Sequence, residues 1–304
     1  MTSPRPGADL LVGAVDGHVH ACPHINGRSL DVFEAVREAA AAGLAGLGLM
    51  DNFGNSSGLA ALARRQLPEC AVDVFGGLIM EPPAGGVSAE AARIALSYGY
   101  GPRTGARFVS LPTHHTRHVA LQEGRSPLYC EGCFAVPERG PLPDPLPEIL
   151  DLVAAADVAF NTGHVSEAEA VRLVEDARRR GVGRILAPAS LYGADAVRAL
   201  AAGGATVEFS FFFVSHATQV GLTHVDREAH RIAGTTGPAV AALIRAAGAD
   251  NVVLSSDCGV ALLPPPVEGL REFLLLLEAC GIERDALRVM TSDNPTRLFK
   301  VTAP

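Results

Sequence analysis

Two histidines two positions apart, His18 and His20, are the first residues of this chain whose types and spacing could do chemistry. They close the stretch Asp16-Gly17-His18-Val19-His20, and residues two apart in an extended segment face the same side. Two imidazoles aimed at one point suit a borderline-soft divalent cation. A third imidazole, His164, follows Asn161-Thr162-Gly163, and a carboxylate, Asp257, follows Ser255-Ser256. Three histidines and one aspartate make a coordination set with room for a water. The H-x-H pair alone reads equally well as two loop histidines. The four positions count only if the fold gathers them.

The elements that would gather them are legible as an alternation of short apolar runs with longer Ala-, Leu- and Arg-rich stretches. Strands are predicted at 10–15, 44–50, 72–80, 107–111, 158–161, 184–187, 206–213 and 252–255. Helices are predicted at 30–42, up to 67, at 88–98, at 147–155, from Ser166 onward and at 268–279. Ser166 with Glu169 three positions on forms a capping box, which fixes that helix start. Strands alternating with helices imply parallel strands joined by right-handed crossovers, and eight such units close into a (β/α)8 TIM-like barrel. A single domain over residues 1–304 is expected. Active sites of such barrels lie at the C-terminal strand ends, where His18, His20, His164 and Asp257 all fall. The Pro-, Gly- and His-rich segment 112–147, after the fourth strand, is too long for an ordinary connection and is expected to be an active-site loop or lid.

Composition narrows the function classes. Of the 304 residues 48% are hydrophobic, enough for one large core, and the net charge of -8 has nothing of a nucleic-acid binder's basic footprint. No apolar run reaches the length of a membrane span. The opening MTSPRPGADL lacks the build of a secretory leader, and six scattered cysteines do not form a disulfide framework, so a cytoplasmic protein is expected. Cys130 and Cys133 form a lone C-x-x-C pair and read as two loop thiols. The expected partner is a small-molecule substrate, with no nucleic acid and no membrane; a homo-oligomer is compatible with the sequence.

Further residues sit where they could assist. Glu81 ends the third strand and is a candidate catalytic residue, ligand or bridge between two metals. His114, His115 and His118 cluster after the fourth strand; His114 is the catalytic candidate, His115 a substrate-binding one, and His118 a loop residue. His216, after Phe211-Phe212-Phe213, is a second substrate-binding candidate, whereas His24, His224 and His230 read as surface or helix-start residues. Arg28, eight residues after His20, could clamp a substrate carboxylate or simply pair on the following helix. Asp51 ends the second strand and could orient a ligand histidine. Cys22 and Cys258 read as small buried neighbours of the site.

With these positions assembled the chain resembles the metal-dependent amidohydrolase superfamily, from Asp16 to the closing Asn294-Pro295-Thr296-Arg297-Leu298. It looks closest to a little-characterised amidohydrolase-like branch, through Gly76-Gly77-Leu78, Gly85-Gly86-Val87, Thr162-Gly163-His164 and Ser256-Asp257. The resemblance implies His18 and His20 as first-strand ligands, His164 as the fifth-strand ligand and Asp257 as the eighth-strand residue. That last carboxylate often doubles in the superfamily as the base toward the metal water. Two departures stand out. Many members bridge two metals with a carbamylated lysine on strand four, but Lys300 is the sole lysine here. Many carry a histidine after strand six, where this chain has Ile185-Leu186-Ala187-Pro188-Ala189-Ser190.

The resulting expectation is an enzyme, a hydrolase with one divalent transition metal, zinc first and Mn or Fe also fitting. Its substrate would be a small-molecule amide, lactam, imide or ester, attacked by a metal-activated water with Asp257 moving the proton. Two alternatives remain open. A PHP-type phosphoesterase also begins with H-x-H and uses a Glu such as Glu81, but closes with D-x-H where this chain has Asp257-Cys258-Gly259. A metal-binding pseudo-enzyme or regulatory module on the same barrel is the other.

Overall fold

Eight parallel strands pair with their neighbours in chain order: β1 (Val15–Val19), β2 (Gly46–Leu49), β3 (Asp73–Ile79), β4 (Phe108–Ser110), β5 (Ala159–Asn161), β6 (Arg184–Pro188), β7 (Thr206–Ser210) and β8 (Val252–Ser255). The computed structural model describes residues 5–101, 104–137, 139–215 and 233–302, with the backbone of 222–223 and 229–230. Just past the end of β8 the ring closes onto β1. The Asp257 amide donates to the His18 carbonyl (2.9 Å), and the His20 amide donates to the Cys258 carbonyl (2.8 Å). A (β/α)8 barrel results, and β1 and β8, carrying three of the four candidate ligands, become neighbours only through this closure.

Helices cover the outside: α1 (Val32–Ala42), α2 (Ser57–Gln66), α3 (Ala89–Ser97), α4 (Arg117–Gln122), α5 (Pro127–Gly132), α6 (Leu146–Ala156), α7 (Glu167–Arg179), α8 (Ala194–Ala202), α9 (Phe211–Val214), α10 (Gly237–Ala247), α11 (Pro266–Ala279), α12 (Arg284–Arg288) and α13 (Asn294–Phe299). Their starts are set by caps. Ser166 and Glu169 exchange side-chain-to-backbone hydrogen bonds at the head of α7, and Asp31 and Glu34 do so at α1, satisfying amides that a first turn leaves over. Among the described residues no helix is long and apolar enough to cross a membrane.

Alternation along each strand sorts side chains into two shells. Outward residues such as Val207, Phe209, Phe160 and Leu254 join the large helix–sheet core. Inward residues such as Val15, Phe75, Phe108, Leu186 and Val253 fill the barrel interior. Leu298 and Phe299 of α13 plug the N-terminal end of that interior, where Phe299 stacks on Phe75 at 4.8 Å between centroids. The polar inward residues are thereby left at the opposite, C-terminal end.

Most boundaries shift by a residue or two, and two differ in kind from the sequence expectation. The first strand is not 10–15: Leu10 and Leu11 are buried in a 3-10 turn under the outer core, and β1 begins at Val15. An apolar run of that length satisfies either geometry, and tertiary burial chose. The seventh strand stops at Ser210 instead of Phe213, because Phe211–Val214 turns into a helix that buries Phe211 and Phe213. Segment 112–147 is a long excursion, as expected, but it carries α4 and α5. These close over a small core of their own made by Ala120, Cys130 and Cys133.

Candidate metal centre

Simple alternation would not aim His18 into the barrel. Val15 lies in the interior core, and a Cβ on Gly17 would strike Phe299 of that same core, so odd positions face inward at the start of β1. The pairing with β2 then slips between Asp16 and Val19, and Val19 packs in the outer core. This irregularity works as a bulge does: one extra residue re-aims the chain, so that His18 and His20 point inward.

Asp257 meets them from the opposite strand end. Its Oδ1 lies 3.2 Å from His18 Nε2 and 3.2 Å from His20 Nε2. Among the described residues, the ligand-type atoms of His18, His20 and Asp257 all lie within 4.8 Å of one another. Two imidazole nitrogens and a carboxylate oxygen converging in this way fit a divalent cation of the zinc type. Asp257 adopts a left-handed backbone (φ 50°), a conformation uncommon outside glycine that aspartate tolerates better than most side chains.

A residue missed in the sequence reading stands behind His18. Glu208, inward on β7 and buried, accepts hydrogen bonds from His18 Nδ1 at 3.1 Å and from the Ser255 hydroxyl at 2.7 Å. With Nδ1 engaged by Glu208, His18 turns Nε2 to Asp257 and the cation position; as imidazolium it donates there to Asp257, and a bound cation would take the place of that proton. The available signal was a lone carboxylate in the apolar run Thr206-Val207-Glu208-Phe209-Ser210, at an inward position of a strand. Asp16 is a second: fully buried, it accepts the Ser256 amide at 3.1 Å, ties the two strand ends together, and burial raises its carboxyl to about 6.

The electrostatics describe a site built around positive charge. Burial works against the His18 imidazolium, but the carboxylates of Asp257 and Glu208 outweigh it and hold its pKa up at about 9. Burial lowers His20, and lowers His164 to about 4, so both present lone pairs near neutrality. Burial would raise Asp257, yet the surrounding imidazoles of His18, His20 and His164 bring it below the usual carboxylate range. Glu208→Gln keeps an oxygen facing His18 Nδ1 but removes the negative charge that holds the imidazole and its proton there, and metal affinity is expected to fall about tenfold to a hundredfold with the fold retained. A competitive chelator titration measures this; unchanged affinity would mean Glu208 only packs.

The remaining candidates divide. His164 stands beside the group but outside the 4.8 Å set. It is held by the left-handed Gly163, where a Cβ would collide with the Pro112 carbonyl. His114 comes to the site: its ring lies 6.3 Å from that of His164, and its Nε2 is 2.9 Å from Asn52 Nδ2. His115 turns away and packs on Tyr129 at 5.2 Å, so the structure does not bring it to the metal group. His118 instead lines a pocket with His164, Ser190, Leu191, Tyr192 and Phe213. Glu81 does not face the ligands. Its Oε1 accepts the amides of Thr113 and His114 and the Thr113 hydroxyl, and its Oε2 accepts the His115 amide. The sequence placed a carboxylate at the right rim, but four donors from the loop after β4 take it up, and it anchors the segment carrying His114.

Asp51 likewise caps its own turn, accepting the Phe53 amide at 2.8 Å, and it is Glu208 that orients a ligand histidine. Burial pushes the Cys258 thiol far up, consistent with an inert neighbour. Arg28 lies on the loop after β1, within the fields of Asp257 and Asp51. His216 lies outside the described residues.

A model for a family of unknown function (DUF6282) matches residues 13–208, a stretch that includes His18, His20, Glu81, His164 and Glu208. A search of curated proteins returned no match. Solved structures share the fold. An amidohydrolase from Pseudomonas aeruginosa is 12% identical with a TM-score of 0.58, covering 97% of this chain and 98% of its own. A Pseudomonas putida protein proposed to be a 2-pyrone-4,6-dicarboxylic acid hydrolase is 16% identical with a TM-score of 0.56, covering 96% and 99%. An organophosphorus hydrolase from Deinococcus radiodurans is 16% identical with a TM-score of 0.53, covering 88% and 82%. At these identities the likeness shows the barrel fold.

Proposed function

We propose that this chain, which belongs to the DUF6282 family of unknown function, is a metal-dependent hydrolase acting on an amide, lactam, imide or ester bond of a small molecule. The observation that carries the reading is the convergence of His18 Nε2, His20 Nε2 and Asp257 Oδ1 at the C-terminal end of the barrel, with Glu208 behind His18. Barrel stability requires no such set: two imidazoles and buried carboxylates brought together are costly unless a cation uses them. Two of the structures with this fold, an amidohydrolase and an organophosphorus hydrolase, are hydrolytic enzymes and lend support.

One divalent transition metal is the proposed cofactor, zinc first, with His164 as the fourth ligand. When bound it supplies Lewis acidity toward a carbonyl oxygen and toward water. The chain's own groups do the rest. Glu208 holds the His18 tautomer. Asp257 Oδ2, 3.4 Å from the Ser210 hydroxyl, is the atom that accepts a proton from attacking water and returns it to the leaving group. His114, positioned by Glu81 and Asn52, hydrogen-bonds the substrate. The engagement of Glu81 with four donors tells against the phosphoesterase alternative, which needs that carboxylate at the metals.

Elemental analysis tests the reading, followed by chelation, reloading with zinc, manganese or iron, and assay on a panel of small lactones, esters and amides. About one equivalent of metal per chain is expected, with hydrolysis lost on chelation and restored on reloading. A parent that neither contains nor takes up metal sinks the proposal and leaves a barrel kept as a binding module.

A further inference from the structure

The loop after β1 is zipped to the loop after β8. The Ser29 amide donates to the Gly259 carbonyl at 2.8 Å, and Arg28 bridges Val260 in antiparallel fashion. Arg28 is therefore held two to three residues beyond Asp257 on a backbone fixed from both sides. The residue is half-buried, and its buried Nε has no hydrogen-bond partner. Among the described residues Arg28 forms no salt bridge, and its side chain has one hydrogen-bond-distance contact, His24 Nε2 at 2.9 Å from NH2. That neighbour does little for it. A neutral imidazole accepts at one nitrogen only, and His24 Nδ1 already accepts the Asn26 amide at 3.0 Å. His24 is braced in turn by the ring of Phe53, edge-on at 4.7 Å. A permanently charged fork with five donors is thus fixed in place, short of acceptors, at the rim of the candidate metal centre. Buried cations without acceptors are expensive, and a ligand that supplies two coplanar oxygens removes the expense.

We propose that Arg28 is the anchor for a carboxylate on the substrate, so that the molecule hydrolysed is a carboxylate-bearing lactone, ester or amide. This rests on the hydrolase reading for the reaction, though not for the anion. A carboxylate is favoured over a phosphate because a single planar guanidinium matches two coplanar oxygens and one negative charge. The charged groups acting on Arg28 include the acidic Asp257 and Asp51, which oppose a dianion there. The anchor also orients: a fork fixed by the β1 and β8 loops holds the carboxylate end still while the reacting bond lies over the Asp257 group.

The test uses benzoate and its neutral counterpart benzamide, titrated calorimetrically into the full-length parent and into Arg28→Met and Arg28→Lys, each metal-loaded and metal-free. Circular dichroism and metal content of every preparation check folding and loading. Benzoate affinity is expected to fall at least about tenfold in Arg28→Met and to be partly regained in Arg28→Lys. Benzamide binding should not respond to either change. Benzoate affinity that is equal in parent and Arg28→Met overturns the assignment, as does a parent that binds no benzoate at millimolar concentration. Should Arg28→Met fail to fold, the ratio of benzoate to benzamide affinity in Arg28→Lys decides in the same way. The two readings fail separately. Metal-loaded protein with Arg28-independent benzoate binding keeps the hydrolase and loses the anchor; protein that takes up no metal yet binds benzoate through Arg28 does the reverse.

Discussion

His18→Ala is expected to strip the metal and to weaken the fold, whereas His20→Ala should strip the metal and leave the fold nearly intact. Each change deletes one imidazole from a set of three converging ligand atoms, so metal content in either variant should fall below about a tenth of the parent value. Their surroundings differ. His18 lies between two carboxylates, 3.2 Å from Asp257 Oδ1 and 3.1 Å from Glu208 Oε1, and these hold it as imidazolium to about pH 9. Removing it leaves buried negative charge facing buried negative charge, which costs about 3 kcal/mol or more. His20 contacts Asp257 through Nε2 alone, and its buried Nδ1 has no partner, so what its loss removes is nearly offset by what it relieves. Urea unfolding of the two metal-free variants beside the metal-free parent measures the difference. The His18 contribution has a definite pH signature. Its folded pKa exceeds the ordinary 6.5, so its contribution is full below that value and fades as the pH rises through about 9. Equal stabilities for the two variants would show that Glu208 and Asp257 are not held by His18.

Gly259→Ala is expected to be among the most damaging single-methyl additions in the chain. The backbone there has φ 133°, where a side chain is strained regardless of space. A Cβ would also lie 1.8 Å from the His20 carbonyl oxygen and 2.8 Å from its Cβ. His20 and Cys258 share the hydrogen bond that closes β8 onto β1, so the collision cannot be relieved by a rotamer change and must move the seam itself. Strain and overpacking together put the cost at about 3 to 5 kcal/mol. Because that seam aligns Asp257 with the two imidazoles, metal affinity should fall with stability. Gly13→Ala is the control: it also has positive φ, but nothing lies within 4 Å of its Cβ. If the two variants unfold at the same urea concentration, the close approach at Gly259 is not a constraint on the fold.

Local chemistry alone made much of this protein legible. The eight-fold alternation is written in the apolar runs, because a strand buried on both faces needs a continuous apolar stretch and its covering helix needs a stripe. The capping box at Ser166 and Glu169 fixed one helix start to the residue. Barrel closure then followed from the count of units, and with it the placement of His18, His20 and Asp257 at one rim.

Tertiary structure decided what spacing could not. The aim of His18 depends on a slipped register between β1 and β2, which is a property of a pair of strands and appears in neither one. Glu81 and Glu208 are both single carboxylates in or after apolar runs. One is consumed by the amides of 113–115 and the other stands behind His18, and only the packing of β3 against the loop after β4, and of β7 beside β8, separates the two. His115 and His118 exchanged expected places because α4 begins at Arg117, so the helical turn carries His118 to the pocket while Tyr129 of α5 receives His115. Residue types and strand ends thus determined which chemistry this chain could do. Which atom faces which was settled by cross-strand register and by competition among buried donors for the same few carboxylate oxygens, and both depend on residues far apart in the sequence.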